Sequence, residues 1–322
     1  MRIHILDKPS QEARDLLMSN LDKSISISFG ADLPKGEKVE GLVAGRPTQD
    51  HLEQLESLRF LIVPWAGIPS ETISLLVNNP KIQLYNLHHN AAPAAELALA
   101  LLLAAAKRVI RFDQELRRND WSLRYQESET VLLEGKRALI LGYGSIGQRI
   151  KKSLEGLGIT VQVIKRSLKE GDSRLFIFPP SKLKDLLPET EILILALPLT
   201  DETRGMITET ELSLLPKNAI LINISRGKIV DQRALFTALK ENKIFGAGLD
   251  VWYNYPKHSA DRVETRPADY PFHELDNVVM SPHRGGLVEE TERLRMIALA
   301  RSLNAAAKGG SIPNSVNLGL GY

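Results

Sequence analysis

The segment Arg137-Ala138-Leu139-Ile140-Leu141-Gly142-Tyr143-Gly144-Ser145-Ile146-Gly147 decides how this chain folds. Its first five residues are a short apolar run typical of a buried strand, and a helical pattern over residues 145–157 begins within the glycine-rich part. Between a strand and a helix each glycine has a purpose. The first makes the tight turn, the second admits a pyrophosphate against the backbone, and the third lets helix and strand pack closely. We therefore interpret residues 142–147 as a dinucleotide-binding turn, with the pyrophosphate on the N–H groups of the helix N-terminus.

The same alternation of apolar runs and helical patterns extends over most of the chain. Six strands are predicted from the turn onward, at Arg137–Leu141, Thr160–Ile164, Ile192–Ala196, Ala219–Ile224, Phe245–Asp250 and Val278–Ser281. Five more precede them, at Arg2–Leu6, Ile25–Phe29, Gly41–Ala44, Leu58–Val63 and Ile82–Tyr85. Strands that alternate with helices form parallel sheets. We predict an α/β protein with a Rossmann-type doubly wound parallel sheet, and one long helix over Ala91–Arg111 between the two series.

Composition limits the class of protein. The 322 residues are enough for two domains, and 43% hydrophobic with 25% charged residues excludes a disordered chain. A net charge of +2 gives no reason to expect nucleic acid or an anionic membrane as partner. The absence of cysteine excludes disulfides and thiolate sites. The longest apolar run, Leu97–Ala106, is about half a membrane span. We expect a cytoplasmic protein without a metal.

Two cations follow the second strand of the Rossmann-type sheet. Lys165, Arg166 and Ser167 stand where an acid would hydrogen-bond the adenine ribose of NAD. These residues would instead attract the 2′-phosphate of NADP, for which arginine offers bidentate geometry. We predict that NADP(H) is the preferred cofactor, with NAD(H) as the alternative.

Further candidate residues follow the later strands. The loops at the carboxyl ends of the strands line the ligand crevice of an open α/β sheet, and Arg226, Asp250 and His283 all fall at such ends. The remaining cofactor-binding candidates are Leu197, Pro198, Thr203, Ile224, Ser225, Asp250 and Gly285.

The order and spacing of these motifs resemble the D-isomer-specific 2-hydroxyacid dehydrogenase family, which includes glyoxylate/hydroxypyruvate reductases and formate dehydrogenases. Asn86, Asn90 and Glu96 resemble the family segment that leads into the interdomain helix. Ala66 and Gly67 lie in a stretch similar to the loop whose backbone amides hold the substrate carboxylate. The resemblance, which covers nearly the whole chain, implies a small 2-oxo or 2-hydroxy acid as substrate. With the apolar run 97–106, it also suggests a homodimer.

The resemblance also implies domain limits and residue roles. It assigns residues 1–95 and 288–322 to a flavodoxin-like α/β substrate domain and residues 96–287 to the dinucleotide-binding domain. Arg226 looks like the family arginine that binds the substrate carboxylate and polarises the C2 oxygen. His283 looks like the acid/base that protonates this oxygen, and Asp250 is similar to the aspartate that orients the nicotinamide. The chemistry agrees, because a 2-oxo acid needs a cation and a titratable donor.

One position departs from the family pattern. Where most members have a glutamate that pairs with the histidine and raises its pKa, this chain has Tyr255. A neutral phenol stabilises imidazolium less than a carboxylate does. Tyr255 therefore joins Arg226 and His283 as a candidate catalytic residue.

Three interpretations of the departure remain open. In the first, reduction of 2-oxo acids persists, with Tyr255 hydrogen-bonded to His283 or the substrate, or with Asp261 or Glu264 folding in from the following loop. In the second, the protein oxidises formate, which needs no proton transfer; Asn90 resembles the asparagine that contacts formate. In the third, it is a catalytically weak or inactive nucleotide-binding regulatory protein.

Overall fold

The computed structural model describes residues 1–168, 171–172 and 176–320. The chain divides into two compact units, Met1–Asn90 with Leu287–Tyr322 and Ala91–Gly286. Residues 321–322, the end of the expected substrate domain, lie outside the described ranges.

The first unit contains a five-stranded parallel sheet. Its strands are β1 (Arg2–Ile5), β2 (Ser26–Phe29), β3 (Gly41–Val43), β4 (Phe60–Val63) and β5 (Gln83–Asn86), in the order β2-β1-β3-β4-β5. The helices are α1 (Gln11–Ser19), α2 (Gln49–Glu53), α3 (Ser70–Val77) and, at the end of the chain, α10 (Thr291–Ala307). Alternate residues of the strands lie in two different apolar clusters, so both faces of the sheet are covered. The strand order confirms the predicted flavodoxin-like fold.

The second unit contains a seven-stranded parallel sheet. Its strands are β6 (Arg137–Leu141), β7 (Thr160–Ile164), β8 (Ile177–Phe178), β9 (Ile192–Leu195), β10 (Ile220–Asn223), β11 (Gly246–Leu249) and β12 (Val278–Met280). The order β12-β11-β10-β9-β6-β7-β8 places the first strand of the unit beside its second and fourth. This order confirms the Rossmann-type doubly wound sheet. The prediction omitted β8, because an edge strand of two residues leaves no periodic signal.

The α-helices that the structure describes in the second unit are α4 (Ala91–Ala106) and α5 (Val109–Arg117), which precede β6, and α6 (Ser145–Gly156), α7 (Leu183–Leu186), α8 (Glu209–Leu214) and α9 (Gln232–Lys240), which lie between its strands. In the part of the chain that the structure describes, no helix has both the length and the apolar character needed to cross a lipid bilayer.

The predicted single helix over Ala91–Arg111 is wrong. The helical structure is interrupted at Arg108, which has a left-handed backbone with φ of 50°. Its guanidinium lies 4.4 Å from the centre of the Phe245 ring and donates a hydrogen bond of 3.3 Å to the Phe245 carbonyl. These tertiary contacts hold the break, which no proline or glycine in the sequence signals. The helix α4 then packs against the sheet through residues such as Ala98 and Leu102, whereas α5 has no buried residue.

Candidate active site

The glycine-rich turn has three glycines in three different surroundings. Gly142 has a φ of +103°, and a Cβ there would overlap the Ala196 carbonyl. A Cβ at Gly147 would overlap the carbonyl oxygen of Gly142, so the turn and the start of α6 touch. Gly144, by contrast, has nothing within 4 Å of the place of a Cβ. The packing of the protein explains the first and third glycines, and the open space at the second fits a pyrophosphate lying against the backbone.

The other residues of the turn have different roles. Tyr143 and Ile146 are partly buried and pack against the apolar cluster under the sheet. Ser145 is exposed and is the first residue of α6. The N-cap, Gly144, makes no side-chain capping hydrogen bond. Backbone N–H groups at such a helix end are suited to bind a phosphate.

Both cations after β7 form ion pairs. Lys165 Nζ lies 3.4 Å from Asp172 Oδ2, and Arg166 Nη1 lies 3.3 Å from Glu202 Oε2. Ser167 is exposed. The sequence reasoning identified the cations but missed both acids. Asp172 lies 7 residues from Lys165, and Glu202 lies 36 residues from Arg166.

The candidates after β9 and β10 hold these loops together. The Leu197 N–H donates to Ser225 Oγ at 3.0 Å, and this hydroxyl donates to the Leu195 carbonyl at 2.7 Å. Thr203 Oγ1 donates to the Pro198 carbonyl at 2.7 Å. Ser225 and Ile224 are buried, with 7% and 9% of their surface exposed.

Arg226 follows β10 on a loop that two other residues hold in place. The buried Asn223 donates from Nδ2 to the Arg226 carbonyl at 3.1 Å and accepts from the Ser225 N–H at 3.0 Å. Next to it, Gly227 lies so close to Trp252 that a Cβ would overlap the Trp252 carbonyl. The arginine loop and the segment after β11 are therefore in direct contact. An asparagine at the end of an apolar strand was the sequence signal that could have identified Asn223.

Asp250 organises the loop that carries His283. Its carboxylate is 1% exposed and accepts from Ser281 Oγ at 2.6 Å, from the Arg284 N–H at 2.8 Å and from the Gly285 N–H at 2.9 Å. Between these donors His283 has a left-handed backbone with φ of 59°. Because a non-glycine residue occupies this region at a cost, the three bonds to Asp250 stabilise the turn. Gly285 is buried against the same carboxylate.

Tyr255 lies beside His283. Its hydroxyl is 3.0 Å from His283 Nδ1 and accepts a hydrogen bond of 3.1 Å from the Trp252 N–H. The Trp252 indole N–H donates in turn to the Ser281 carbonyl at 2.8 Å, which ties the two segments together. Tyr255 thus occupies the place where the family glutamate was expected.

The charges around His283 act in opposite directions. Desolvation lowers the pKa of His283 below its usual value, the positive charge of Arg226 lowers it further, and the negative charge of Asp250 raises it. Burial raises the pKa of Tyr255, while the Trp252 N–H and Arg226 oppose that shift. Among the described residues, neither Asp261 nor Glu264 is one of the charges that act on His283. Asp261 instead accepts from the His258 N–H at 3.0 Å.

The remaining candidates lie in the first unit, at the carboxyl ends of neighbouring strands. Ala66 and Gly67 follow β4, and Asn90 follows β5. Asn86 Nδ2 donates to the Ala66 carbonyl at 2.6 Å and so holds the loop in place. The Oδ1 atom of Asn90 is buried and has no hydrogen-bond partner.

Comparisons with known proteins agree with this fold. Residues 99–285 match the model of the family described as D-isomer specific 2-hydroxyacid dehydrogenase, NAD binding domain. A glyoxylate reductase of Pyrococcus horikoshii is 38% identical over 228 residues, which are 69% of this chain and 65% of that protein. A glyoxylate reductase of Aeropyrum pernix is 40% identical over 229 residues, which cover the same shares of the two proteins. The chain thus spans just under two thirds of the length of these relatives.

A solved structure extends the likeness to nearly the whole chain. It is a D-isomer specific 2-hydroxyacid dehydrogenase from Xanthobacter autotrophicus Py2, in complex with NADPH and MES. The TM-score is 0.78 at 24% identity, and the match covers 99% of this chain and all of that one. At this identity the likeness shows the fold alone.

Proposed function

The chain belongs to the D-isomer-specific 2-hydroxyacid dehydrogenase family, and we propose that it reduces a small 2-oxo acid to a D-2-hydroxy acid with NADPH. The observation that carries the proposal is the grouping of Arg226 and His283. Both follow strands on the carboxyl edge of the same sheet, close enough for the charge of Arg226 to lower the pKa of His283. A cation beside a titratable donor is what the carboxylate and the carbonyl oxygen of a 2-oxo acid require.

Each residue has a separate task in this proposal. The guanidinium of Arg226 binds the carboxylate through two parallel hydrogen bonds and polarises the C2 oxygen. His283, whose ring is accessible to solvent on its loop, gives a proton to that oxygen. Asp250 keeps the His283 turn in shape through its three hydrogen bonds, and we also assign it the orientation of the nicotinamide carboxamide. For Ala66, Gly67 and Asn90 we keep the role that the family resemblance implies, which is substrate binding.

The residues of the second unit fit a nicotinamide dinucleotide. The open space at Gly144 and the N-terminus of α6 would hold the pyrophosphate, and Lys165, Arg166 and Ser167 would hold a 2′-phosphate. The bound dinucleotide supplies the hydride. The preference for NADPH over NADH is supported by the two cations after β7, where an NAD-binding protein has an acid. NADPH is also the ligand of the Xanthobacter autotrophicus relative.

A substrate panel tests the proposal. Oxidation of NADPH and of NADH is followed with glyoxylate, hydroxypyruvate, pyruvate and bulkier 2-oxo acids, and reduction of NADP with formate. We expect NADPH oxidation with at least one 2-oxo acid. Where the product has a stereocentre, which glycolate from glyoxylate lacks, chiral analysis should identify the D enantiomer. His283→Ala should lose about 10²–10⁴-fold of the rate, the contribution of general acid catalysis, while NADPH binding persists. Arg226→Lys should raise the KM, because lysine cannot form the bidentate contact.

The same panel separates the alternatives. Activity with formate alone would replace the proposal by formate oxidation. Tight NADPH binding with no turnover of any acid would favour a nucleotide-binding regulatory role on this fold.

A further inference from the structure

We propose that Tyr255 is a proton-relay residue, which fixes the proton of neutral His283 on Nε2 and gives a proton to Nδ1 as Nε2 loses its own during each reduction. The inference rests on the proposed function, because it concerns the proton that 2-oxo acid reduction consumes. It assigns to the phenol a task that a carboxylate at the same place could not perform. A carboxylate can only accept from Nδ1, whereas a phenol can also donate to it.

The hydrogen bonds around the phenol oxygen decide its direction. The Trp252 backbone N–H can only donate, and at 3.1 Å it occupies an acceptor position of the Tyr255 oxygen. With this acceptor position filled, we assign the phenol hydrogen to the other neighbour, His283 Nδ1, at 3.0 Å. An Nδ1 that accepts a hydrogen bond carries no proton, so the neutral ring holds its proton on Nε2. The backbone of Trp252 thereby selects the tautomer of His283.

The neutral ring is the form present near neutral pH. Desolvation and the positive charge of Arg226 both lower the pKa of His283, and the negative charge of Asp250 opposes them. An imidazolium at this place is therefore scarce above pH 6.5, the usual value for histidine. A neutral imidazole that gave up its Nε2 proton alone would become an imidazolate, which is too basic to form. The relay avoids this ion, because Nδ1 gains a proton as Nε2 loses one.

The atoms balance as follows. The carbonyl carbon of the 2-oxo acid accepts the hydride, and its C–O double bond becomes a single bond. The oxygen takes the proton from Nε2, and Nδ1 takes the phenol proton. Tyr255 is left as a phenolate; desolvation raises the pKa of this phenol, and the Trp252 N–H and the charge of Arg226 oppose that shift. When the product has left, water returns a proton to Nε2 of the exposed His283, and Nδ1 gives its proton back to the phenolate, which restores the Nε2–H tautomer before the next turnover.

The test begins with the tautomer, which is read without turnover. Nitrogen-15 chemical shifts of the two ring nitrogens of His283 report which one is protonated in the resting protein. We expect the Nε2–H tautomer in the wild type and a mixture in Tyr255→Phe. Tyr253→Phe is the matched control, because the Tyr253 hydroxyl donates to the Val230 carbonyl at 3.1 Å, away from His283. An Nδ1–H tautomer in the wild type would overturn the relay.

The pH profile of reduction supplies the second measurement. With the relay, the wild-type rate should stay level from neutral pH until the phenol itself ionises. Tyr255→Phe must rely on imidazolium, so its rate should fall about tenfold per pH unit above the pKa of His283. Tyr253→Phe should follow the wild type. Parallel profiles in the wild type and Tyr255→Phe would overturn the relay while leaving the reductase function intact, whereas a wild type that reduces no 2-oxo acid would contradict the proposed function itself.

Discussion

Arg166 Nη1 lies 3.3 Å from Glu202 Oε2, so an ion pair joins the loop after β7 to the loop after β9. In the sheet β6 lies between these two strands. The glycine-rich turn begins at the carboxyl end of β6, so the pair joins the loops that follow the strands on either side of that turn. The cation assigned to the 2′-phosphate of NADP already has an anionic partner, and a bound phosphate must compete with it.

Removing the competing charge should strengthen binding of the 2′-phosphate. Glu202 is mostly exposed, and an exposed ion pair contributes ~0.2–1 kcal/mol, so we expect Glu202→Gln to bind adenosine 2′,5′-bisphosphate about two- to fivefold more tightly. Adenosine 5′-monophosphate, which lacks the 2′-phosphate, should bind as before. Titration calorimetry measures both ligands without turnover.

A matched variant controls for net charge. Glu189 pairs with Arg137 at the first residue of β6, the opposite end of that strand, so Glu189→Gln should change neither affinity. Arg166→Ala should weaken the bisphosphate about ten- to a hundredfold, the loss of a charge-assisted contact. If Glu202→Gln bound the bisphosphate more weakly, the role of Glu202 as competitor would be wrong.

The glycines of the turn should respond differently to the same substitution. A Cβ at Gly144 has open space around it, so Gly144→Ala should keep the melting temperature and weaken NADPH binding. A Cβ at Gly147 would overlap the Gly142 carbonyl, so Gly147→Ala should destabilise the protein by about 1–3 kcal/mol. Thermal unfolding and NADPH fluorescence titration are compared for the two variants. Unchanged NADPH affinity in Gly144→Ala would contradict the assignment of the pyrophosphate to this turn.

Asp250 should act on His283 through both structure and charge. Asp250→Asn replaces one acceptor oxygen by an NH₂ group, which cannot accept from the loop donors, so we expect a loss of about 1–3 kcal/mol. The substitution also removes the negative charge that raises the pKa of His283, so that pKa should fall further. Ser281→Ala, the control, removes one donor to Asp250 and keeps the charge. The pKa of His283 is measured by NMR titration. An equal pKa in Asp250→Asn and in the wild type would refute the electrostatic effect of Asp250 on His283.

His89 should make the protein sensitive to acid. Burial, followed by the positive charge of Arg295, lowers the pKa of His89 to about 4, and its Nδ1 has no partner. An unfolded chain binds this proton near the ordinary histidine value of 6.5, whereas the folded chain does not. The free energy of unfolding should therefore fall as the pH drops from 6.5 towards 4.

The variant His89→Gln should remove part of this sensitivity. We expect the drop in Tm between pH 7 and pH 5 to be about 2–4 °C smaller than in the wild type, which corresponds to ~2 kcal/mol. His273→Gln, at an exposed histidine, should leave the drop unchanged. Equal drops in the wild type and His89→Gln would place the acid sensitivity elsewhere.

The strand pattern made most of the fold predictable. Apolar runs between helical patterns identified eleven of the twelve strands that the structure describes, because a strand buried on both faces leaves a continuous signal. The break at Arg108 left no such signal, since it depends on the ring and carbonyl of Phe245, more than a hundred residues away. The homodimer stays a prediction. Within the described part of the chain, the apolar run 97–106, on which the dimer prediction partly rests, lies largely in the core of its own unit, through Ala98, Leu102 and Ala105.

The candidate site divides in the same way. The sequence by itself determined which groups are available: the glycine turn, the cations Lys165 and Arg166, Arg226, Asp250, His283, and a tyrosine in place of a glutamate. These are local motifs, and their meaning comes from a few adjacent residues. Only the tertiary structure decided what each group contacts: the ion pair of Arg166 with Glu202, the three loop donors on Asp250, and the position of Tyr255 between Trp252 and His283. The physical reason is that the direction of a hydrogen bond and the energy of a charge depend on neighbours within a few ångströms, and parallel strands bring those neighbours together from distant parts of the chain.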